Sequence, residues 1–198
     1  MKKYIIMANG KGVRWDNFTD RPKHLIQING ETLLARIVRQ LGQEDPGKEI
    51  IISASDTRYD VAGAQRYVPQ HHQLEIDRFT YELIEDGTCF LYGDTYYTDE
   101  AIRAIVGAKG TELLFIGNRR RIFAVKVFDE GVMKGQLDRV KNLFLRGEIQ
   151  DCKGWQVYQS FQGLPFGQKT ITDHYLEIED ETQDFNYPQD YKDFIDRG

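Results

Sequence analysis

The chain is poor in cysteine, has no long apolar run and carries no surplus of positive charge. It has two cysteines, Cys89 and Cys152, in 198 residues. With no secretory leader in view, both are expected as reduced thiols and the protein as cytoplasmic. No apolar stretch approaches the ~20 residues of a membrane helix, so a membrane partner is not expected. The net charge of −5 tells against nucleic acid as the partner, while leaving room for a small basic pocket. Internal repeats and low-complexity tracts are absent, and the acidic stretch from Glu177 to Glu181 reads as a solvated turn. What remains is a chain 40% hydrophobic and 29% charged, long enough for a single domain over 1–198 with a real core.

Two common phosphate-binding motifs are also missing. There is no G-x-x-x-x-G-K-[ST] loop. Gly10-Lys11-Gly12 lacks the third glycine of the dinucleotide fingerprint. A glycine loop is nonetheless present. The apolar run Tyr4-Ile5-Ile6-Met7 ends in Ala8-Asn9-Gly10-Lys11-Gly12-Val13-Arg14, and Pro22-Lys23 follows before a helical stretch opens near Glu31. Strand, glycine loop and helix in that order point to a phosphate cradle. Glycine lets the backbone approach an anion, and successive N–H groups then face its oxygens. Arg14 and Lys23 add the charge a triphosphate needs.

Apolar periodicity alternates strands with helices. Strands are expected at 4–7, 49–53, 89–92, 113–116 and 122–128, and helices at 31–41, 76–85, 99–106 and 130–146. Thr98 is placed as an N-cap, with Asp99 and Glu100 in the first turn. Residues 155–161 and 174–178 read as extended, and 188–194 as a short closing helix. Such alternation implies a mostly parallel sheet covered on both faces, with ligands at the carboxyl ends of its strands. The glycine loop and Asp94, which follows Cys89-Phe90-Leu91-Tyr92-Gly93, then share one edge.

The first of these patterns resembles the N-terminal signature of the sugar-phosphate nucleotidyltransferase family, L-A-x-G-x-G-x-R, a spacer, then P-K. It stands here as Met7 to Arg14 and Pro22-Lys23. The resemblance implies a three-layer α/β/α sandwich with a mostly parallel, mixed central sheet, Rossmann-like and of the GT-A type. It implies that Ala8, Asn9, Gly10, Lys11, Gly12 and Val13 bind the nucleotide, and that Arg14 and Lys23 are catalytic. Asp94 becomes a Mg²⁺ ligand. The second ligand falls in Asp184-Phe185-Asn186-Tyr187-Pro188, at Asn186 by alignment on the proline, with Asp184 as the rival. Trp15 stands where the family usually has Met or Leu. The region between Asp94 and Asn186 is expected to be shortened, which bears on the second substrate.

The implied partners are a nucleoside triphosphate and a small phosphorylated sugar, polyol or amino-alcohol. The acceptor phosphate attacks the α-phosphorus and pyrophosphate leaves, so the protein supplies alignment and charge neutralisation. Two other readings stay open: a GT-A glycosyltransferase using Asp94 on a nucleotide sugar, and a non-catalytic nucleotide-binding module. Arg119-Arg120-Arg121 reads as a solvated turn and His71-His72 as loop. His174 and the aromatics Trp155, Tyr158 and Phe161 read as structural. Oligomeric state is not legible.

Overall fold

Along the first strand, Tyr4 and Ile6 belong to one hydrophobic core, and Ile5 and Met7 to another. Strand side chains alternate between faces, so a strand that is apolar throughout must be covered on both sides. The computed structural model describes residues 1–10, 12–15 and 18–197. The predicted role of Lys11 therefore falls outside the described residues. In chain order the strands are β1 (Lys3–Met7), β2 (Gln27–Ile28), β3 (Glu31–Thr32), β4 (Glu49–Ser53), β5 (Gln65–Tyr67), β6 (Thr88–Tyr92), β7 (Thr95–Tyr96), β8 (Leu113–Gly117), β9 (Ile122–Val127), β10 (Tyr175–Glu177) and β11 (Gln183–Asp184). The helices are α1 (Leu33–Glu44), α2 (Asp99–Gly107), α3 (Glu130–Leu145), α4 (Gly154–Gln162) and α5 (Pro188–Ile195).

The main sheet has seven strands in the order β10-β8-β9-β6-β1-β4-β5. The β1 pairings with β4 and β6 are parallel, as are β4 with β5 and β8 with β10. Only β9 runs against both its neighbours, β6 and β8. The sheet is therefore mixed and mostly parallel, as expected. On one face α1 and α2 bury Leu34, Ile37, Val38, Leu41, Ile102 and Ile105. On the other, α3 and α4 bury Met133, Leu137, Val140, Trp155 and Tyr158. These are the three layers of an α/β/α sandwich. Among the described residues no helix is long and apolar enough to cross a membrane. Cys89 and Cys152 are both free and buried.

Most expected elements stand within a residue or two of their predicted bounds. The Thr98 hydroxyl caps α2 by accepting from the Ala101 N–H at 2.9 Å. Three readings need correction. Residues 31 and 32 form β3, and α1 opens after them with Thr32 as its cap. Residues 76–85 form no α-helix but two 3₁₀ turns, Glu75–Phe79 and Tyr81–Leu83, broken at Thr80 with φ +27°. Residues 155–161 are helical rather than extended, because Trp155, Tyr158 and Phe161 stack one face of α4 on the second core.

A third, smaller core lies beside the sheet. Trp15, Ile26, Ile28, Leu33 and Phe185 are buried in it, with Tyr191 and Phe194 of α5 packed alongside. The Trp15 indole N–H lies 3.1 Å from the carbonyls of both Phe18 and Arg21. Trp15 thus ties the segment after the glycine loop to the segment around Phe185, far along the chain.

One buried charge is structural. Lys126 of β9 is 1% exposed. Its ammonium donates to the carbonyls of Ile105, Val106 and Ala108 at 2.8, 3.0 and 2.6 Å, closing the C-terminal end of α2. Replacing it by methionine strands these carbonyls. Lys126→Met is expected to cost about 2–4 kcal/mol, read as a lower urea midpoint at unchanged m-value. A loss below about 1 kcal/mol would mean that water takes the place of the ammonium.

Candidate active site

Parallel pairing brings three strand ends to one edge. Met7 lies opposite both Ser53 and Tyr92. The Ala8 N–H donates to the Ser53 carbonyl at 3.1 Å, and the Gly93 N–H to the Met7 carbonyl at 3.0 Å. Glycine suits 93, since a Cβ there would crowd that carbonyl oxygen at 3.0 Å and the Leu34 side chain at 3.2 Å. Gly12 has φ +59°, the left-handed conformation glycine adopts without strain. The glycine loop leaves β1 at this edge. Ala8 is buried at its root, and Val13 is 80% exposed at its far side. Asn9 is held by its amide oxygen, which accepts from the Ser55 N–H at 3.2 Å and the Ser55 hydroxyl at 3.0 Å.

At the centre of the edge the Lys23 ammonium is hydrogen-bonded to the Asp94 carboxylate. Lys23 is 6% and Asp94 5% exposed. Burial alone would push the Asp94 carboxyl up. The Lys23 ammonium, with His24 and then Arg78 adding to it, outweighs it and holds the carboxyl down at about 2. His24, next in sequence, is fully enclosed against the Tyr59 hydroxyl at 3.1 Å. Burial, and then the Lys23 charge, drive its imidazole down to about 3.

The late segment arrives beside this pair through β11, whose Asp184 lies opposite Thr95 of β7. The Phe185 N–H donates to the Asp94 carbonyl at 2.9 Å. Phe185 is wholly buried in the third core, and Asp184 and Asn186 on either side of it line a cavity. The Asn186 amide nitrogen donates to Asp184, and its oxygen accepts from the Arg14 guanidinium at 3.0 Å. Arg121 approaches Asp184 at 3.2 Å. Burial lifts the Asp184 carboxyl above its ordinary range; Arg121 opposes the rise, and Asp94 adds to it.

Asp94 and Asp184 thus present two carboxylates to one cavity, with an amide oxygen nearby. Among the described residues no three His, Cys, Asp or Glu side chains cluster as a metal cage. One or two carboxylates with room for phosphate and water oxygens is the donor set that suits Mg²⁺. The residues present fit that ion.

The Lys23–Asp94 pair is a shared wall. On one side is a cavity of about 520 Å³ lined by Ala8, Asn9, Gly10, Gly12, Val13 and Lys23, and beyond them by Ser55, Arg58 and Tyr59. On the other is a cavity of about 190 Å³ lined by Arg14, Asp94, Arg121, Asp184, Asn186 and the face of α4. The structure brings all the predicted site residues it describes to these two cavities. Sequence reasoning missed Arg78, which lines the smaller cavity and whose guanidinium lies against Gly10. Of the arginine run only Arg121 turns inward; Arg119 is 81% exposed beside Glu177. His72 borders the larger cavity. His174 packs on Phe161 and is 3.2 Å from the Gln162 amide nitrogen.

No protein-family model matches the chain, and no curated protein matches it in sequence. Its fold, however, is shared with several solved nucleotidyltransferases. The CTP:phosphocholine cytidylyltransferase of Streptococcus pneumoniae superposes with a TM-score of 0.60 at 15% identity, over 100% of this chain and 99% of that one. UTP-bound UGPase from Acinetobacter baumannii gives 0.63 at 10%, over 100% and 93%. The inositol-1-phosphate CTP transferase of T. maritima gives 0.56 at 12%, over 98% and 94%. At such identities the likeness establishes a shared architecture.

The buried pair makes a signed prediction. Asp94 has a depressed carboxyl, so its contribution to stability is full above the unfolded value near 4 and is lost as pH falls toward about 2. In Lys23→Ala, burial acts unopposed by that ammonium, and an ionised Asp94 is stranded at neutral pH. The variant is expected to lose about 3 kcal/mol at pH 7, and its deficit relative to the parent should shrink below pH 4. Urea denaturation at pH 7 and pH 3 measures both; an equal deficit at the two values would detach Lys23 from Asp94 energetically.

Proposed function

We propose that this chain is a nucleotidyltransferase, one domain over 1–198, that condenses a nucleoside triphosphate with a small phosphorylated acceptor and releases pyrophosphate. One observation carries the reading: a lysine–aspartate pair forms the common wall of a glycine-loop cavity and a second, carboxylate-bearing cavity. A reaction between two phosphates needs two adjoining chambers and a cation where they meet. In a glycosyltransferase there is no triphosphate tail, and the arginine beside the loop would have little to hold.

The roles follow from placement. The loop from Ala8 to Val13 receives the nucleotide, its backbone turned to the phosphates. Lys23 is positioned to exchange its contact with Asp94 for the α-phosphate and the incoming phosphate, and so to align them. Arg14 has a planar fork of donors suited to the leaving pyrophosphate. Asp94 and Asp184, with Asn186 alongside, would hold Mg²⁺, which when bound neutralises phosphate charge. No protein nucleophile is required, because the acceptor phosphate is already an anion.

Pyrophosphate release from each of the four triphosphates, with a panel of phosphorylated sugars and alcohols and with or without Mg²⁺, tests the proposal. Release is expected only when triphosphate, acceptor and Mg²⁺ are all present. Cleavage of a nucleotide sugar without triphosphate consumption would place the chain among glycosyltransferases instead. Asp94→Asn should lower turnover about 100-fold or more, the scale of losing one preorganised charge contact. Arg14→Ala should weaken triphosphate binding about ten- to a hundredfold while sparing the monophosphate, as one charge-assisted contact is lost. Calorimetry with both nucleotides reads that difference, and equal losses would remove Arg14 from the β- and γ-phosphates.

A further inference from the structure

The wall of the smaller cavity carries an arginine whose donors are unspent. Arg78 lines that cavity beside Asp94, and its side chain is 23% exposed. The guanidinium makes no hydrogen bond among the described residues. Its ion pair there is with Glu75, at 3.6 Å, and the Glu75 side chain is 42% exposed. So loose and wet a pair contributes little. The other cations on this wall are engaged at closer range. Arg121 meets Asp184 at 3.2 Å and Lys153 meets Asp151 at 2.9 Å. Arg14 donates to Asn186 at 3.0 Å, and Lys169 to the Arg120 carbonyl at 3.1 Å. A guanidinium carries five N–H donors in a planar fork, and at Arg78 the fold leaves that fork free.

The backbone that carries it is anchored on both sides. The Asp77 carboxylate accepts from the Gln73 and Leu74 N–H groups at 3.0 and 2.9 Å, and from Lys141 at 3.1 Å. Phe79 is buried edge-on against Phe90, with ring centres 5.4 Å apart. Thr80 is buried at φ +27°, a conformation that β-branched residues rarely adopt. Backbone strain of this kind persists where surrounding contacts over-determine it, and it gathers at functional sites. The Thr80 hydroxyl donates to the Arg78 carbonyl at 3.2 Å and lies 2.6 Å from the Ser53 hydroxyl. Ser53 ends β4 opposite Met7, so the Arg78 backbone is tied to the edge from which the glycine loop departs. The guanidinium itself packs on that loop, where a Cβ on Gly10 would meet its Nη2 at 3.2 Å.

We propose that Arg78 is a phosphate-binding residue of the smaller cavity, gripping the acceptor's phosphate with its free fork, and that the Ser53–Thr80 contact presets it. A phosphate entering here meets the Asp94 and Asp184 carboxylates. It therefore needs a cation not already committed to one of them, and a planar fork can hold two of its oxygens at once. Arg78 serves the incoming phosphate and Arg14 the leaving pyrophosphate. This rests on the reading above that the smaller cavity receives the acceptor.

Titration calorimetry with inorganic phosphate, and with ATP, CTP, GTP and UTP, tests the assignment without turnover. Arg78→Met keeps the stem that covers Gly10. It should weaken phosphate about ten- to a hundredfold, while the tightest of the four triphosphates stays within about threefold. Arg78→Lys keeps the charge without the fork and should fall between the parent and Arg78→Met. Thr80→Val should weaken phosphate about three- to tenfold, and Thr80→Ser should restore it. In the Arg78→Met background Thr80→Val should weaken phosphate no further, a result that a purely structural threonine would not give. Unchanged phosphate binding in Arg78→Met overturns the inference. So does an equal loss for phosphate and triphosphate, or a parent protein that binds no phosphate. If Arg78→Met does not fold, Arg78→Lys carries the test, and phosphate held as tightly as by the parent overturns the inference. A further loss from Thr80→Val in the Arg78→Met background removes the presetting role. A phosphate loss specific to Arg78, in a protein that consumes no triphosphate, would leave the inference standing and remove the enzymatic reading instead.

Discussion

A lysine and an aspartate held together almost out of reach of water are the constraint on which the site is organised. Two opposite charges can be buried only as a pair, because each alone would carry a large desolvation cost. Lys23 comes from the turn after the glycine loop and Asp94 from the end of β6, 71 residues apart. Their pairing locks the loop segment to the centre of the sheet edge. It also places a lysine ammonium where two cavities meet. As a source of stability such a pair is weak, since an apolar pair of similar volume would cost less to bury.

Around that pair the fold uses apolar packing to aim polar groups. Phe185 is drawn into the small core with Trp15, and strand alternation then turns Asp184 and Asn186 toward the cavity. Trp15 fixes the segment that carries Arg14, and Arg14 reaches Asn186 directly. Three aromatic neighbours, Phe18, Tyr191 and Phe194, close the arrangement. The tryptophan where the resembling family has a smaller apolar residue is thus a packing element, filled in by the aromatic C-terminal helix.

Much of this was legible in the residues. Short apolar runs such as Ile50-Ile51-Ile52 announce buried parallel strands, and Thr98-Asp99-Glu100 announces a capped helix. The glycine loop, Lys23 and Asp94 could be placed on one edge because parallel strands all end on the same side. What failed lacked a local signal. The α4 segment is rich in aromatics and its N-cap, Lys153, makes no side-chain cap bond, so no start marker separated it from a strand. The 76–85 stretch has helical spacing but breaks at Thr80, which is buried with φ +27° and shares a hydrogen bond of 2.6 Å with the Ser53 hydroxyl. Arg78 and the inward turn of Arg121 depend on contacts across more than 60 residues, Gly10 in one case and Asp184 in the other. Pairwise spacing carries no trace of such contacts.

The third core has a kinetic consequence. Arg14 and Asn186 are separated by 172 positions, and the packing that joins their segments is small and stands apart from the two cores that flank the sheet. Closing so long a loop is worthwhile only once the sheet has brought its ends near. The sandwich can therefore form before the cavities have their second carboxylate, and can survive while that corner loosens. The corner is a natural unit of local opening. A ligand that bridged the two cavities would therefore also fasten these two distant stretches of chain together.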